Sequence, residues 1–127
     1  MKLYNIRSLD FQFNDARGSL VQLVHEGFPQ VNVLASGAGA TRGAHFHKRA
    51  TEAFYVVNGS VEVTLMDKEK TECVTFRQGD FFEIFPFVLH NMHFPEDCLM
   101  IQLYSIPVEN GDGTKDIFTE DEFNARN

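Results

Sequence analysis

The chain has 127 residues, the length of one domain, and 43% of them are hydrophobic, so it can bury a sizeable core. Its net charge of -7 argues against nucleic acid or an anionic membrane surface as a partner, because both need a basic face. We expect a cytoplasmic protein, since the sequence has no apolar signal-peptide core, no membrane-spanning run and only two cysteines.

Most of the chain consists of short apolar runs divided by turn residues, a pattern typical of an all-β sandwich or barrel. Asn14-Asp15 predicts a turn before the first of these runs. Asn58-Gly59 predicts a hairpin, because the pair tolerates the positive φ of a tight turn. In chain order the predicted strands are Gly18 to Val24, Val31 to Leu34, the segment of His45 and His47, Ala53 to Val57, Val61 to Leu65, Val74 to Phe76, Phe81 to Phe85, a strand opened by His90, and Leu99 to Tyr104.

The tail of the chain departs from this pattern. Thr119 and Glu122 have the spacing of a capping box, which predicts a short helix from Thr119 to Phe123.

Two of the predicted strands, AFYVV and FFEIF, are apolar on both faces. A closed barrel has one interior, so the second apolar face must meet another layer, a terminal segment or a second subunit. We expect a homodimer that buries Phe46, Tyr55 and neighbouring outward residues.

The most informative residues are two histidines and a carboxylate in the middle of the chain. His45 and His47 are separated by one residue, so they project to the same side of a strand. Glu52 can reach the same point from the next strand, and His90 can complete the set from another. Imidazoles and a carboxylate that meet at one place are the ligand set of a divalent metal ion.

The spacing of this segment matches a known motif. Gly39, His45, His47, Glu52 and Gly59 follow the first motif of the cupins, in which a Gly, a His-x-His pair, a Glu and a second Gly recur at set intervals. The chain therefore resembles the cupin superfamily, which consists of small jelly-roll β-barrels.

The second cupin motif is matched in part, and the resemblance spans about residues 18–105. Gly79 and His90 have the separation of that motif. Pro86 lies one place late, and Phe94 stands where the motif has Asn.

The resemblance implies one cupin domain over residues 1–127, with the barrel at about 18–105 and a short helical tail at 106–127. It also implies that His45, His47, Glu52 and His90 bind one divalent metal ion. Zinc is favoured, with iron, manganese and nickel as alternatives. A further alternative is a metal-free cupin that keeps these side chains as a polar substrate pocket.

Two more segments resemble cupins that act on nucleotide-linked keto sugars. These are DARGSL at residues 15–20 and TRGAHFHK at residues 41–48. The group includes sugar 3,4-ketoisomerases and the cupin part of a reductase that makes capsular-polysaccharide sugars. Glu52 and His90 favour the second type, a metal-dependent epimerase domain, because the ketoisomerases usually lack both residues.

The resemblance predicts an epimerase or isomerase of a nucleotide sugar in surface-polysaccharide synthesis, acting through an enediolate. His45 and His47 are the expected catalytic residues, while Arg17, Arg42 and Lys48 are expected to bind the sugar nucleotide. A histidine bound to metal cannot also be the free base. The base is therefore a metal-bound hydroxide or another pocket residue if metal is present, and His45 or His47 if it is not.

Two other functions stay open at this point. Three histidines and a carboxylate also suit an Fe(II) dioxygenase that acts on a small organic substrate. A non-catalytic carbohydrate-binding cupin is the third hypothesis. His25 and His93 are expected to be ordinary surface histidines, since His93 alternates away from His90.

Overall fold

The computed structural model describes residues 2–125, which form two five-stranded antiparallel sheets, a separate hairpin and one short helix. The first sheet has the order β1-β9-β6-β11-β4, with β1 Tyr4–Ile6, β9 Phe81–Ile84, β6 Glu52–Asn58, β11 Cys98–Tyr104 and β4 Gln30–Ser36. The second has the order β12-β5-β10-β7-β8, with β12 Phe118–Thr119, β5 Thr41–Phe46, β10 Leu89–His93, β7 Ser60–Met66 and β8 Thr71–Arg77. The hairpin pairs β2, Phe11–Asp15, with β3, Gly18–Gln22, and the helix α1 is Glu120–Asn124. The all-β prediction is confirmed.

The core lies between the two sheets and is rich in aromatic rings. Phe76 on β8 stacks on Phe82 of β9 with ring centroids 3.6 Å apart, and Phe54 on β6 stacks on Phe82 at 5.3 Å. All three side chains are buried. Large aromatic side chains remove much apolar surface from water, so this stack holds one sheet to the other.

The chain reverses between β2 and β3 at Ala16 and Arg17, not at Asn14-Asp15 as predicted. Both polar residues belong to the end of β2. The Asp15 carboxylate accepts a hydrogen bond from the Arg17 backbone N–H at 2.9 Å, so it stabilises the turn from the position before it.

The predicted hairpin at Asn58-Gly59 is wrong. β6 belongs to the first sheet and β7 to the second, and the two strands do not pair. The chain crosses between sheets here. Gly59 has a φ of 88°, and a Cβ at this position would collide with the Asp97 carbonyl, so the glycine serves a close approach of two backbones.

The C-terminal segment covers the outer face of β5. β12 pairs with β5, and Phe118 and Phe123 each pack on Phe46 with ring centroids 5.5 Å apart. Phe46 is 0% exposed in the single chain, so the prediction that a second subunit buries it is wrong. A terminal segment provides the cover instead.

The N-terminal part of the chain covers much of the outer face of the first sheet in the same way. Half-buried Tyr55 belongs to an apolar cluster around Ala53, Phe81 and Leu103, and the same cluster is covered by N-terminal side chains: Leu9, Leu23, Val24 and Phe28.

The capping box that starts α1 is confirmed. The Thr119 side chain accepts from the Glu122 backbone N–H, and the Glu122 side chain accepts from the Thr119 N–H. Across residues 2–125, no helix has the length and apolar character needed to span a membrane.

Candidate metal centre and active site

Four predicted metal ligands meet between the two sheets. His45 lies on β5, His47 follows the end of that strand, Glu52 opens β6, and His90 lies on β10. Their donor atoms all lie within 4.8 Å of one another. The two sheets therefore bring together residues that are up to 45 positions apart in the sequence, from His45 to His90.

A β-bulge sets the direction of His45. On β5, His45 pairs with His90 of β10 while Gly43 pairs with Asn91, so Ala44 is an extra residue in the strand. Ala44 has a φ of 61°, and a Cβ on Gly43 would lie 2.8 Å from the His90 carbonyl oxygen. This close backbone approach requires a glycine and holds the His45 and His90 rings 4.7 Å apart.

Glu52 is the centre of the cluster. Its Oε1 lies 3.1 Å from His47 Nε2 and 3.1 Å from His90 Nε2. All three side chains are buried. Two ligands about 2.1 Å from one metal ion are about 3.0 Å apart at right angles and about 3.4 Å apart at tetrahedral angles, so the two distances from Glu52 Oε1 suit the binding of one ion.

The other oxygen of Glu52 is held by a polar network on neighbouring strands. Glu52 Oε2 accepts a short 2.5 Å hydrogen bond from Gln102 Nε2. Gln102 Nε2 also donates to the Tyr104 hydroxyl at 3.1 Å, and Gln102 Oε1 accepts from Asn32 Nδ2 at 2.9 Å. Asn32 orients the Gln102 amide so that its NH₂ points at Glu52 Oε2. The other carboxylate oxygen, Glu52 Oε1, is therefore left to face the histidines.

The far nitrogens of two histidines are fixed by backbone carbonyls. His47 Nδ1 lies 2.5 Å from the Asp116 oxygen, and His90 Nδ1 lies 3.1 Å from the Val88 oxygen. A carbonyl only accepts, so each Nδ1 carries a proton and each Nε2 points at Glu52.

Two Nε2 lone pairs against one carboxylate oxygen are unfavourable unless a cation lies among them. Among the described residues, the buried His90 Nε2 has no hydrogen-bond partner, although it lies 3.1 Å from Glu52 Oε1. The donor set therefore fits a divalent metal ion.

Without metal, a proton is the available cation. Burial by itself would lower the pKa of His47, but its hydrogen bond to Glu52 outweighs that effect and the pKa is raised. Burial would raise the pKa of Glu52, but His47 and His90 outweigh it and hold that pKa well below its usual range. Burial, together with the nearby His90 charge, lowers the pKa of His45 to about 4, so His45 is neutral at pH 7.

The cluster opens into a cavity of about 410 Å³, a size that suits a small ligand. His45, Glu52, His90 and Gln102 line its polar side, and exposed Arg42 lines it as well. The remaining lining residues are Leu34, Gly43, Phe54 and Met92.

Residues 13–106 match the family model described as the polysaccharide biosynthesis C-terminal domain. The chain belongs to this family. No protein with a curated description matches it.

Solved structures share the fold of this polysaccharide biosynthesis domain. One is a variant of the 3,4-ketoisomerase QdtA from Thermoanaerobacterium thermosaccharolyticum in complex with TDP-4-keto-6-deoxyglucose, with 20% identity and a TM-score of 0.78 over 99% of this chain and 97% of that one. A second is the TDP-quinovose 3,4-ketoisomerase WlaRB from Campylobacter jejuni, with 22% identity and a TM-score of 0.78 over 97% and 98%.

A third is the capsular polysaccharide assembling protein CapF from Staphylococcus aureus, with 22% identity and a TM-score of 0.61 over 89% of this chain and 32% of that one. The three likenesses concern the fold, and they confirm the predicted cupin jelly roll.

Only one of the three predicted substrate-binding cations of the polysaccharide biosynthesis domain lines the cavity. This is Arg42, whose Nε donates to the Ser36 hydroxyl at 2.8 Å. The Lys48 ammonium lies 4.1 Å from the centre of the Phe118 ring, outside the cavity lining.

Arg17 and two of the histidines lie on other parts of the surface. Exposed Arg17 forms an ion pair with Asp15 at the tip of the β2–β3 hairpin. The exposed His93 contacts Glu62 at 2.8 Å, and His25 contacts Asp10 at 2.5 Å, as expected for surface histidines.

Four residues of the site were missed from the sequence: Asn32, Gln102, Tyr104 and Asp116. Gln102 had an available signal, because it is a polar residue inside the apolar run LMIQLY. Asp116 had none, since it lies in a segment without any strand or helix pattern.

Proposed function

We propose that this polysaccharide biosynthesis domain is a metal-assisted isomerase or epimerase of a nucleotide-activated keto sugar. The observation that carries the proposal is the cluster of three histidines and a buried carboxylate beside a cavity of about 410 Å³. The family and the fold shared with ketoisomerases of TDP-linked sugars support the substrate class and a role in the synthesis of bacterial surface polysaccharide.

The surroundings of the four ligand candidates favour a division of roles. His47, Glu52 and His90 are buried, and each is held by a partner on the side away from the cluster. His45 is only partly buried, lines the cavity and is neutral at pH 7. We therefore assign the metal to the three buried residues and proton transfer to His45. This assignment removes the conflict between metal ligand and free base.

In the proposed reaction, neutral His45 accepts the proton from the carbon next to the ketone. The C–H electron pair forms a C=C bond, and negative charge collects on the former ketone oxygen. Delivery of a proton from water to the opposite face of the same carbon, with His45 releasing its proton to solvent, gives an epimer. Return of the proton to the former ketone carbon gives an isomeric ketone instead. In that case the hydroxyl on the deprotonated carbon loses its proton to the former ketone oxygen and becomes the new carbonyl. A divalent metal in the site supplies positive charge that stabilises the developing anion by several kcal/mol.

The guanidinium of Arg42 is the part of the cavity lining that suits the diphosphate of a sugar nucleotide, because its fork of N–H donors matches phosphate oxygens. Arg17 and Lys48 keep their predicted substrate-binding roles as proposals only.

The test combines elemental analysis with isotope exchange. The purified protein should contain one divalent metal ion per chain, with zinc favoured. In D2O it should catalyse the incorporation of deuterium into the sugar ring of TDP-4-keto-6-deoxyglucose. Absence of exchange across a panel of TDP- and UDP-linked 4-keto-6-deoxy sugars, with metal restored, would overturn the proposal. Bound iron with oxygen uptake on a small organic substrate would favour an oxygenase instead.

The affinity for metal should fall as the pH falls. His47 has a raised pKa, so below that pKa a metal ion must displace the proton that His47 shares with Glu52. We expect the Kd for Zn²⁺ to weaken about tenfold per pH unit below the His47 pKa and to level off above it. Chelator competition between about pH 5.5 and about pH 8.5 measures this, with proton release checked by calorimetry in two buffers. A flat profile would contradict it.

We further propose that the chain forms a homodimer through surfaces that stay uncovered. Phe11, Phe13 and Leu20 on the β2–β3 hairpin are each more than 40% exposed, and Val31 and Val33 on β4 are 57% and 66% exposed. Among residues 2–125, β4 has no partner strand on its outer edge and the hairpin joins neither sheet. Edge strands and isolated hairpins both gain from a partner.

Light scattering after gel filtration should give twice the 14.5 kDa mass of the chain at micromolar concentration. Val33→Lys should shift the protein towards the monomer, since it places a charge on the open edge. Ile117→Lys, at a 42% exposed position of the C-terminal segment, is the matched control and should leave the mass unchanged. A wild-type monomer would rule the dimer out.

A further inference from the structure

Asp116 is a buried carboxylate in the segment between β11 and β12, and it is 3% exposed. Its Oδ1 accepts from the Lys48 N–H at 2.8 Å, and its Oδ2 accepts from the N–H groups of Arg49 and Ala50 at 3.1 and 2.9 Å. Three successive backbone donors thus converge on one anion. Hydrogen bonds to a charged acceptor are stronger than neutral ones, so this carboxylate holds the loop after His47 firmly.

The same residue also holds the imidazole that precedes this loop. The Asp116 carbonyl oxygen lies 2.5 Å from His47 Nδ1, and the Asp116 N–H donates to the Val108 carbonyl at 2.8 Å. His47 and Asp116 are 69 positions apart. The carboxylate therefore fixes the backbone that follows His47, while the carbonyl of the same residue fixes its ring.

We propose that Asp116 is a positioning residue for the metal centre. The Asp116 carboxylate holds the backbone of residues 48–50, and as a result the Asp116 carbonyl keeps His47 Nε2 directed at Glu52. The inference rests on the proposed role of His47 as a metal ligand. Backbone pairing supports it, because β12 begins two residues later and Phe118 pairs with Phe46. The C-terminal segment is thereby anchored on both sides of the ligand.

The chemistry of the side chain predicts what its replacement does. Asparagine has the size of aspartate but offers one acceptor oxygen and one NH₂ donor. At least one backbone N–H of residues 48–50 then faces another donor, and the loop must move. The Asp116 carbonyl moves with it and the His47 ring loses its fixed orientation. Loss of such an outer partner typically weakens metal binding 10–100-fold.

The experiment compares Asp116→Asn and Asp116→Ala with the wild type, in the full chain. Asp67→Asn is the matched control, because the Asp67 carboxylate accepts backbone N–H groups of Glu69 and Lys70 at 2.8 Å in a turn between β7 and β8. The probe is Co²⁺, read by its affinity and visible absorption spectrum. A second readout needs no metal: solvent exchange of the His47 ring N–H proton, followed by NMR.

We expect both Asp116 variants to bind Co²⁺ about 10–100-fold more weakly with an altered spectrum, and to exchange the ring proton faster, while Asp67→Asn behaves as wild type. Altered ring exchange in a protein that binds no Co²⁺ even as wild type would support the positioning role and refute the metal proposal. An unchanged spectrum and unchanged ring exchange in the folded Asp116→Asn protein, even with a lower melting temperature, would overturn the inference. The milder Asn variant decides the matter if the Ala variant does not fold.

Discussion

The His45→Gln variant is expected to retain its metal ion and to lose deuterium exchange into the sugar by about 10²–10⁴-fold, the usual contribution of a positioned acid–base group. His45 lines the cavity and is neutral at pH 7, so it can accept a proton from a bound substrate. Glutamine has comparable size but no basic nitrogen. Metal content by elemental analysis and exchange in D2O by NMR measure the two effects separately.

Two further variants make the result specific. His47→Ala should abolish metal binding in a protein that still adopts the fold, because the core depends on aromatic and aliphatic strands, and the loss of a partner of buried Glu52 should lower its stability. His93→Gln changes a surface histidine that contacts Glu62 and should alter neither property. A His45→Gln protein purified without metal would show that His45 is a ligand. Full exchange in that variant would place the base elsewhere.

Local periodicity explains why the ligand set could be predicted from the sequence. His45 lies on β5 and His47 directly after its end, so the period of two places both rings on one side, and Glu52 lies where the next strand begins. His90 joins them from the strand that pairs with β5. The motif spacing thus encodes strand positions, and strand positions fix the cluster.

The side chains of sequence neighbours can have different surroundings. Lys48 directly follows His47 in the bend after β5, and its side chain lies over Phe118, outside the cavity lining. Arg42 and Lys48, which are close in the sequence, therefore do not both line the cavity in the fold. Arg42 reaches the cavity, because it lies three residues before His45 on the bulged strand.

Long-range contacts account for what the sequence could not predict. Gln102 lies 50 positions from Glu52, and Asp116 lies 69 from His47, so no local pattern links either pair. The Asn58-Gly59 hairpin failed for a related reason. The backbone of Asp97, distant in sequence, determines that Gly59 serves a close approach between sheets and not a two-residue turn.

Glu52→Gln is expected to abolish measurable metal binding and to destabilise the metal-free protein by about 3–5 kcal/mol, the usual cost of removing one partner of a buried ion pair. A glutamine carries one oxygen and one NH₂. Gln102 donates to one side of this position, so the new amide keeps its oxygen there and turns its NH₂ towards His47, whose Nε2 can accept it only as the neutral imidazole. An isosteric change therefore removes the charge that stabilises protonated His47 and weakens the hydrogen bond from Gln102.

The penalty should depend on pH in a direction that follows from the two shifted groups. The lowered pKa of Glu52 gives stability that is present above its unfolded value of 4.5 and is lost as the pH falls through its folded value. The raised pKa of His47 gives stability that is lost as the pH rises through its folded value. The stability lost in Glu52→Gln should thus be largest between the unfolded pKa of Glu52 and the folded pKa of His47. It should be smaller in more alkaline buffer. Urea unfolding of the chelator-treated protein measures it, with Glu62→Gln at the exposed His93 pair as control. Equal stability of the two variants would mean that the buried pair contributes nothing to the fold and that Glu52 is retained for metal binding alone.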